Sequence, residues 1–331
     1  MRVLVTGVTG LVGGHVARRL SEEGWAVRVL VRRPEQGAAL AARGMDVLVD
    51  DLTTGARLQE ACRGIEVIFH CAGHVPPSRL EALYAAVNVE GTRRLLRTAL
   101  AVGVRRVVCT SSVAVYGGAT GVPTTEEFPL KPRSPYGQSK LQAEHLCREA
   151  ATRGLEVVVL RPCFIYGPGD RHFLPAVARI LRLPVVPLIG GGGYLCDIVH
   201  AADVAEAHLL AASSPSAPGA AYNVTDGQRR TVREVLELVG RGLGRRVRIL
   251  PVPWSVAAGA GAVVYPVLRL LRSRAASAVS PRGLRGIAQD AHFPIDRARR
   301  DLGYAPRAVS PKDVVAAVQE WRRGQEGTAR G

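Results

Sequence analysis

Residues 2–15 read RVLVTGVTGLVGGH. The first five, RVLVT, have the Val-rich composition of a strand. A turn with Gly7, Gly10 and Gly13 spaced three apart follows, and then a helical pattern over 13–23. Glycines between a strand and a helix allow a tight turn and a close approach of backbone to a pyrophosphate. The helix N-terminus then favours the phosphate charge. The spacing is not the common GxGxxG, but the strand–turn–helix setting is the one that this physics needs. The stretch predicts a dinucleotide site with Gly7, Thr9, Gly10, Leu11, Val12 and Gly13 around the phosphates.

Working outward, strand-like runs recur at VRVLV (27–31), MDVLV (45–49), EVIFH (66–70), RRVVCTSS (105–112) and EVVVLRP (156–162). Helical stretches lie near 56–63, 80–102 and 137–153. Near-continuous Val/Ile/Leu strands alternating with helices mean a parallel sheet covered on both faces. The expected fold class is α/β: a Rossmann-type doubly wound parallel sheet with a smaller, irregular α/β C-terminal substrate lobe. The expected cofactor domain is 1–170, with return segments near 195–225 that include the strand-like AYNVT (221–225). The lobe takes 171–320, including RVRIL (246–250), and the polar tail 321–331 is expected to fray.

At 331 residues and 47% hydrophobic the chain can bury a full core. Its formal charge is +16, carried almost wholly by arginine, since Lys131, Lys140 and Lys312 are the only lysines. That bias reads as the codon usage of a GC-rich genome. A basic surface attracts anions in general. No basic run is interleaved with aromatics, so specific nucleic-acid binding is not expected. The six cysteines show no paired spacing, so we expect reduced thiols, no metal site and a cytoplasmic protein. No charged run precedes an apolar one at the start, so no signal peptide is expected.

One segment stands apart. ILPVPWSVAAGAGAVVYPVL (249–268) contains no charged residue. Its length suits a span of ~20 residues. Pro251, Pro253, Pro266, Gly259 and Gly261 argue against one. A packed helix lining an apolar pocket is the first expectation. The second is a helix at a membrane surface, with Arg269, Arg272 and Arg274 facing anionic lipid.

The second strand ends VLVRRPEQ (29–36). Val31 stands where a carboxylate would bind the adenosine ribose of NAD, and Arg32 can hold a 2′-phosphate. NADP(H) is therefore favoured over NAD(H). Asp51 and Leu52 follow the third strand beside the adenine. Cys71, Ala72 and Gly73, in HCAG (70–73), are small enough to let a cofactor lie close. SPYGQSK (134–140) puts Tyr136 and Lys140 on one helix face. A neighbouring cation favours a phenolate. The pair is either an acid/base or two ordinary helix residues, and alone it does not decide.

The order of motifs decides. TGVTGLVG (6–13), HCAG (70–73), NVEGT (88–92), SSVAVYG (111–117), SPYGQSK (134–140) and LRPCFIYGPG (160–169) occur in series. The series resembles the extended short-chain dehydrogenase/reductase superfamily, also described as NAD-dependent epimerases and dehydratases, over residues 1–320. The resemblance implies hydride transfer between a nicotinamide and a secondary alcohol or ketone. It makes Tyr136 the catalytic acid/base. Lys140 would bond the nicotinamide ribose and favour the phenolate. Ser112 would bond the substrate oxygen, Asn88 would anchor the active-site helix, and Pro162 joins the cofactor site. In relatives the helices at 80–102 and 137–153 pair across a dimer axis, which implies a homodimer.

The substrate lies in the second half. Sugar-nucleotide members of the family carry an arginine that grips the diphosphate, at the place of Cys196 in GYLCDIVHAADVAEAH (193–208). Arg161, Arg282 or Arg285 could compensate. His200 and Asp203 are expected to hold loop and helix together. The uncharged segment and AHFPIDRARRDLGYAPR (291–307) are similar to 3β-hydroxysteroid dehydrogenase-like and sterol-decarboxylase-like members. The V-R-x-P ending of strand two is shared with dihydroflavonol reductase-like members. The resulting expectation is an NAD(P)-dependent oxidoreductase of a hydrophobic, sterol- or terpenoid-like small molecule, with peripheral membrane contact through 249–268. The alternatives are a sugar-nucleotide 4-epimerase or dehydratase with tightly bound NAD, and a non-catalytic NADP-binding sensor.

Overall fold

The structure, a computed structural model, describes residues 1–76, 80–117, 123–270, 280, 284, 288–307 and 310–328. Its centre is a seven-stranded parallel sheet. The strands are β1 (Arg2–Thr6), β2 (Ala26–Val31), β3 (Asp46–Val49), β4 (Val67–His70), β5 (Arg106–Thr110), β6 (Glu156–Pro162) and the later β10 (Ala221–Val224). Their order across the sheet is β10-β6-β5-β4-β1-β2-β3. The chain therefore runs outward from β1 in one direction, returns, and runs outward from β4 in the other. The crevice that such a reversal leaves lies at the C-terminal ends of β1 and β4. Register sets Thr6 opposite His70 and Thr110 opposite Leu160. Gly7, Cys71, Ser111 and Arg161 thus follow at one edge of the sheet.

Strand side chains alternate between two cores. Val3 and Val5 face α1 (Leu11–Glu22) and α7 (Ala201–Ser213), whose Val16, Leu20, Val204 and Leu209 share one core. Arg19 on α1 also donates from Nε to Glu206 Oε2 on α7 at 2.8 Å. Leu4 and Ile68 face the other side, against Leu95 and Leu96 of α4 (Thr92–Ala101) and Cys147 of α5 (Pro135–Thr152). Each large apolar side chain so buried contributes about 1.5–3 kcal/mol.

The remaining pieces are smaller. β7 (Phe164–Tyr166) pairs with β9 (Ile198–His200), and β8 (Val186–Ile189) with β11 (Ile249–Val252). The helices α6 (Phe173–Ile180), α8 (Val232–Gly242) and α11 (Pro311–Thr328) enclose a separate core around Leu174, Val235, Leu238 and Val318. Thr231 and Glu234 cap α8 reciprocally.

One expectation needs correction, and two others gain detail. The tail expected to fray from 321 continues α11 to Thr328, because Trp321 is buried and its Nε1 donates to Asp170 O at 2.7 Å. The stretch near 80–102 is helical, and within it residues Tyr84–Gly91 form a π-helix that leads into α4. The uncharged segment forms β11 and then α9 (Trp254–Leu270), which carries Pro266 inside it. Trp254 is 41% exposed, Val256 57% and Val263 74%. Among the described residues no helix is long and apolar enough to cross a membrane. Arg272, Arg274, Arg282 and Arg285 lie outside the described residues.

Candidate active site

The expected cofactor end is built by close approach. Gly7 has φ 73°, and a Cβ there would stand 2.5 Å from Ala72 N. A Cβ on Gly13 would stand 2.3 Å from Gly7 O. Only hydrogen fits at either place, so β1, the turn and the end of β4 meet with no side chain between them. Gly10 is the N-cap of α1 and has no side chain to bond the first amides. The first turn of α1, with Leu11 and Val12, therefore presents free N–H groups toward the crevice, beside Thr9. This cradle fits a dinucleotide phosphate.

The rest of the expected cofactor contacts fall around it. Arg32 is exposed at the end of β2. Asp51 Oδ1 accepts from Thr53 N at 2.7 Å, and Leu52 is buried beneath it. A Cβ on Gly73 would lie 3.1 Å from Lys140 Nζ and 3.4 Å from Asn88 Oδ1. Gly73, Lys140 and Asn88 thus converge on one point. Pro162 closes β6 opposite Val224.

The expected acid/base pair rides on α5. Ser134 caps the helix, its Oγ accepting from Gly137 N at 3.0 Å, and Pro135 fills the first position. Tyr136 follows, half-buried, with its ring centroid 6.0 Å from that of Tyr84. One turn on, Lys140 is 7% exposed and donates from Nζ to Thr110 O at 2.8 Å. A Cβ on Gly137 would strike Ala114 O at 2.6 Å, so α5 starts directly on the turn 113–116. Ser112 caps that turn, accepting from Ala114 N at 3.2 Å. Its own hydrogen remains to donate.

Asn88 sits in the π-helix, a distortion common at functional sites. Its Oδ1 accepts from His74 N at 2.7 Å, and its Nδ2 donates to His74 O and to Ser139 Oγ. Ser139 Oγ donates in turn to Tyr136 O at 2.8 Å. Asn88 therefore holds the chain after HCAG and the first turn of α5 together.

Sequence reasoning missed two arrangements beside the site. His70, the first letter of HCAG, bridges Thr6 Oγ1 and Thr92 Oγ1, both at 2.8 Å. Ala72 N donates to Thr6 Oγ1, and Thr92 Oγ1 donates to Asn88 O. These two bonds fix every hydrogen between them: His70 Nδ1 accepts and Nε2 donates, which assigns the tautomer. Burial pushes the His70 pKa down to about 3, so the ring is neutral. The second is the pair Glu144–Arg161, both buried, joined through two bonds of 2.9 and 2.7 Å. The signals were a carboxylate four residues after Lys140 and an arginine inside a strand.

The substrate side shows a departure. Cys196 is half-buried, and its N donates to Arg230 O at 2.7 Å. Burial pushes its thiol up to about 12, so it carries no charge. Arg161 is committed to Glu144 and does not replace the missing grip. His200 caps α7, and Asp203 accepts from Arg307 N at 3.0 Å. All six cysteines are free.

Comparison with known proteins agrees with this geometry. The model of the NAD dependent epimerase/dehydratase family matches residues 3–225. A Stigmatella aurantiaca protein, 4-hydroxy-2-methyl-3-oxo-4-farnesyl-3,4-dihydroquinoline-1-oxide ketoreductase, is 30% identical over 98% of both chains. Sterol demethylase protein B of Methylococcus capsulatus is also 30% identical over 98% of both. The solved structure of MoeE5 in complex with UDP-glucose and NAD is 28% identical. It superposes with a TM-score of 0.74 over 98% of this chain and 100% of its own.

Proposed function

This chain belongs to the NAD-dependent epimerase/dehydratase family and is an NAD(P)-dependent oxidoreductase; from that premise we propose that its substrate is a secondary alcohol or ketone of a hydrophobic, sterol- or terpenoid-like molecule. Cys196 carries this reading. A neutral, half-buried thiol offers nothing to a nucleotide diphosphate, and the described arginine that could substitute is paired. Two relatives whose names carry a farnesyl group and a sterol support the same substrate class.

The bound nicotinamide supplies or accepts the hydride. Tyr136 gives a proton to the substrate oxygen in reduction and takes it in oxidation. Ser112 donates its free hydrogen to the same oxygen. Lys140, held by Thr110 O, would bond the nicotinamide ribose and favour the phenolate form of Tyr136. Arg32 holds a 2′-phosphate, which makes NADP(H) the preferred cofactor.

A second reading, a sugar-nucleotide 4-epimerase, uses the same three residues and is favoured by the likeness to the UDP-glucose complex of MoeE5. Purified protein given NADPH with the bicyclic ketone decalone, or given UDP-glucose alone, separates them. Oxidation of NADPH that Tyr136→Phe abolishes is the expected result. Interconversion of UDP-glucose with retained NAD overturns the hydrophobic reading.

We also propose that α9 rests on a membrane surface, supported by its exposed Trp254, Val256 and Val263 and by the absence of charge over 249–268. Flotation with anionic vesicles tests this, and a protein that stays in the dense fraction refutes it.

A further inference from the structure

Lys140 and Glu144 stand four apart on α5. A lysine and a glutamate at that spacing lie on one face and attract each other. Here they do not pair: among the described residues no carboxylate forms an ion pair with Lys140. Glu144, 2% exposed, is taken on both oxygens. Its Oε1 accepts from Ser111 Oγ at 2.6 Å and Arg161 Nε at 2.9 Å, and its Oε2 from Arg161 Nη2 at 2.7 Å. Burial works against the Arg161 charge, but the Glu144 bonds hold its pKa above the ordinary guanidinium value.

The same pair clamps the segment that carries Ser112 from both ends. Ser111, just before it, is bonded to Glu144. Tyr116, four residues after, accepts from Arg161 Nη1 and donates to Asn223 Oδ1, both at 2.8 Å. A buried ion pair is a poor way to stabilise a fold, because an apolar replacement is often as stable. Its position at the catalytic edge asks for another account.

The groups facing Lys140 narrow that account. From the end of β4 and the residue after it come His70 and Cys71, from β5 Cys109, and from α5 itself Tyr136, Glu144 and Cys147. Burial holds His70 neutral and pushes the Cys71 thiol up to about 12. Cys109 and Cys147 are both buried in the same core. Glu144 is the carboxylate that could swing onto Lys140.

We propose that Arg161 is a charge lock for the acid/base pair: by holding Glu144 through two bonds it keeps that carboxylate off Lys140, whose charge is then left for Tyr136 and the cofactor. Glu144 and Arg161 are positioning residues and touch no substrate. The inference rests on the assignment of Tyr136 and Lys140 made above.

The test reads the phenolate directly and needs no substrate. Ultraviolet phenolate absorbance is titrated in protein saturated with oxidised cofactor, and the part lost on Tyr136→Phe is isolated. Arg161→Gln releases Glu144, and the Tyr136 midpoint moves upward by about one pH unit. Arg161→Gln with Glu144→Gln, a neutral pair of similar size, returns it to the wild-type position. Glu144→Gln alone leaves Arg161 unpaired and moves the midpoint downward. A folded Arg161→Gln protein with an unmoved midpoint, or a double variant that fails to return, overturns the lock. Should Arg161→Gln not fold, Glu144→Gln decides: a fall supports the lock, and a rise or no change overturns it. A wild-type protein in which Tyr136→Phe removes no absorbance below that of the other tyrosines overturns the acid/base assignment, and the lock with it. A Tyr136 contribution that is present but indifferent to Arg161 overturns the lock alone.

Discussion

Two apolar stretches of this chain end in opposite surroundings. In β1, Val3, Leu4 and Val5 are 0% exposed, each facing helices brought from far along the sequence. In α9, Val263 is 74% exposed within a stretch, 254–268, that has no charge to keep it in water. Apolarity is the same in both, and the difference lies in what was built to cover it. A strand inside a parallel sheet acquires two neighbours and two helical layers. A helix at the edge of a lobe acquires only what the lobe supplies. Single changes should accordingly cost much in the first region and little in the second.

The largest expected effect is at the catalytic edge. Tyr136→Phe lowers turnover by about 10²–10⁴-fold with the protein folded and the cofactor bound, as measured by initial rates and by cofactor fluorescence. A variant at wild-type rate would remove Tyr136 from the mechanism.

Acid comes next. Burial lowers His70 from 6.5 to about 3 and His208 from 6.5 to about 4. Both are neutral in the folded chain, and the unfolded chain takes up their protons first. Stability is therefore intact above 6.5 and falls as the pH drops from there toward 4 and then 3. Each histidine contributes up to about 1.4 kcal/mol per pH unit in that window. Urea midpoints at neutral and mildly acidic pH read the slope, and a flat profile would mean that the rings are solvated.

Arg32→Ala is smaller and selective. It weakens NADP(H) binding by about 10–100-fold, the worth of a charge-assisted bond, and leaves NAD(H) unchanged. Equal losses for both cofactors in a titration would sink the 2′-phosphate role. The smallest effect belongs to α9: Val263→Ser shifts the unfolding midpoint by no more than about 0.5 kcal/mol. A larger cost in a denaturant melt would mean that the helix is covered after all.

The same contrast explains what was legible. The glycine turn could be read because its parts touch through backbone: Gly7 against Ala72 and Gly13 against Gly7 are meetings that only glycine permits. The placement of Tyr136 and Lys140 on one helix could be read because four residues on a helix is a distance. His70 could not, because its meaning is carried by Thr6 and Thr92, set 64 and 22 residues away. Arg161 looked like a free cation because its partner, Glu144, lies 17 residues back on another element. The π-helix around Asn88 left no mark in the pattern of apolar residues. For α9, composition gave a helix but not its surroundings, since burial depends on neighbours that no local pattern names.

The packing of α1 against α7 has a consequence for how the chain comes into being. Val16 and Leu20, beside the phosphate cradle, are covered by Val204 and Leu209, and Arg19 finds Glu206 across 187 residues. A ribosome adding 5–20 residues per second needs about 10–40 s to travel from one helix to the other. For that interval the nascent chain carries its most recognisable motif with one apolar side bare. The part that declares itself first in the sequence is completed late in synthesis, and until then it is an exposed surface open to chaperones.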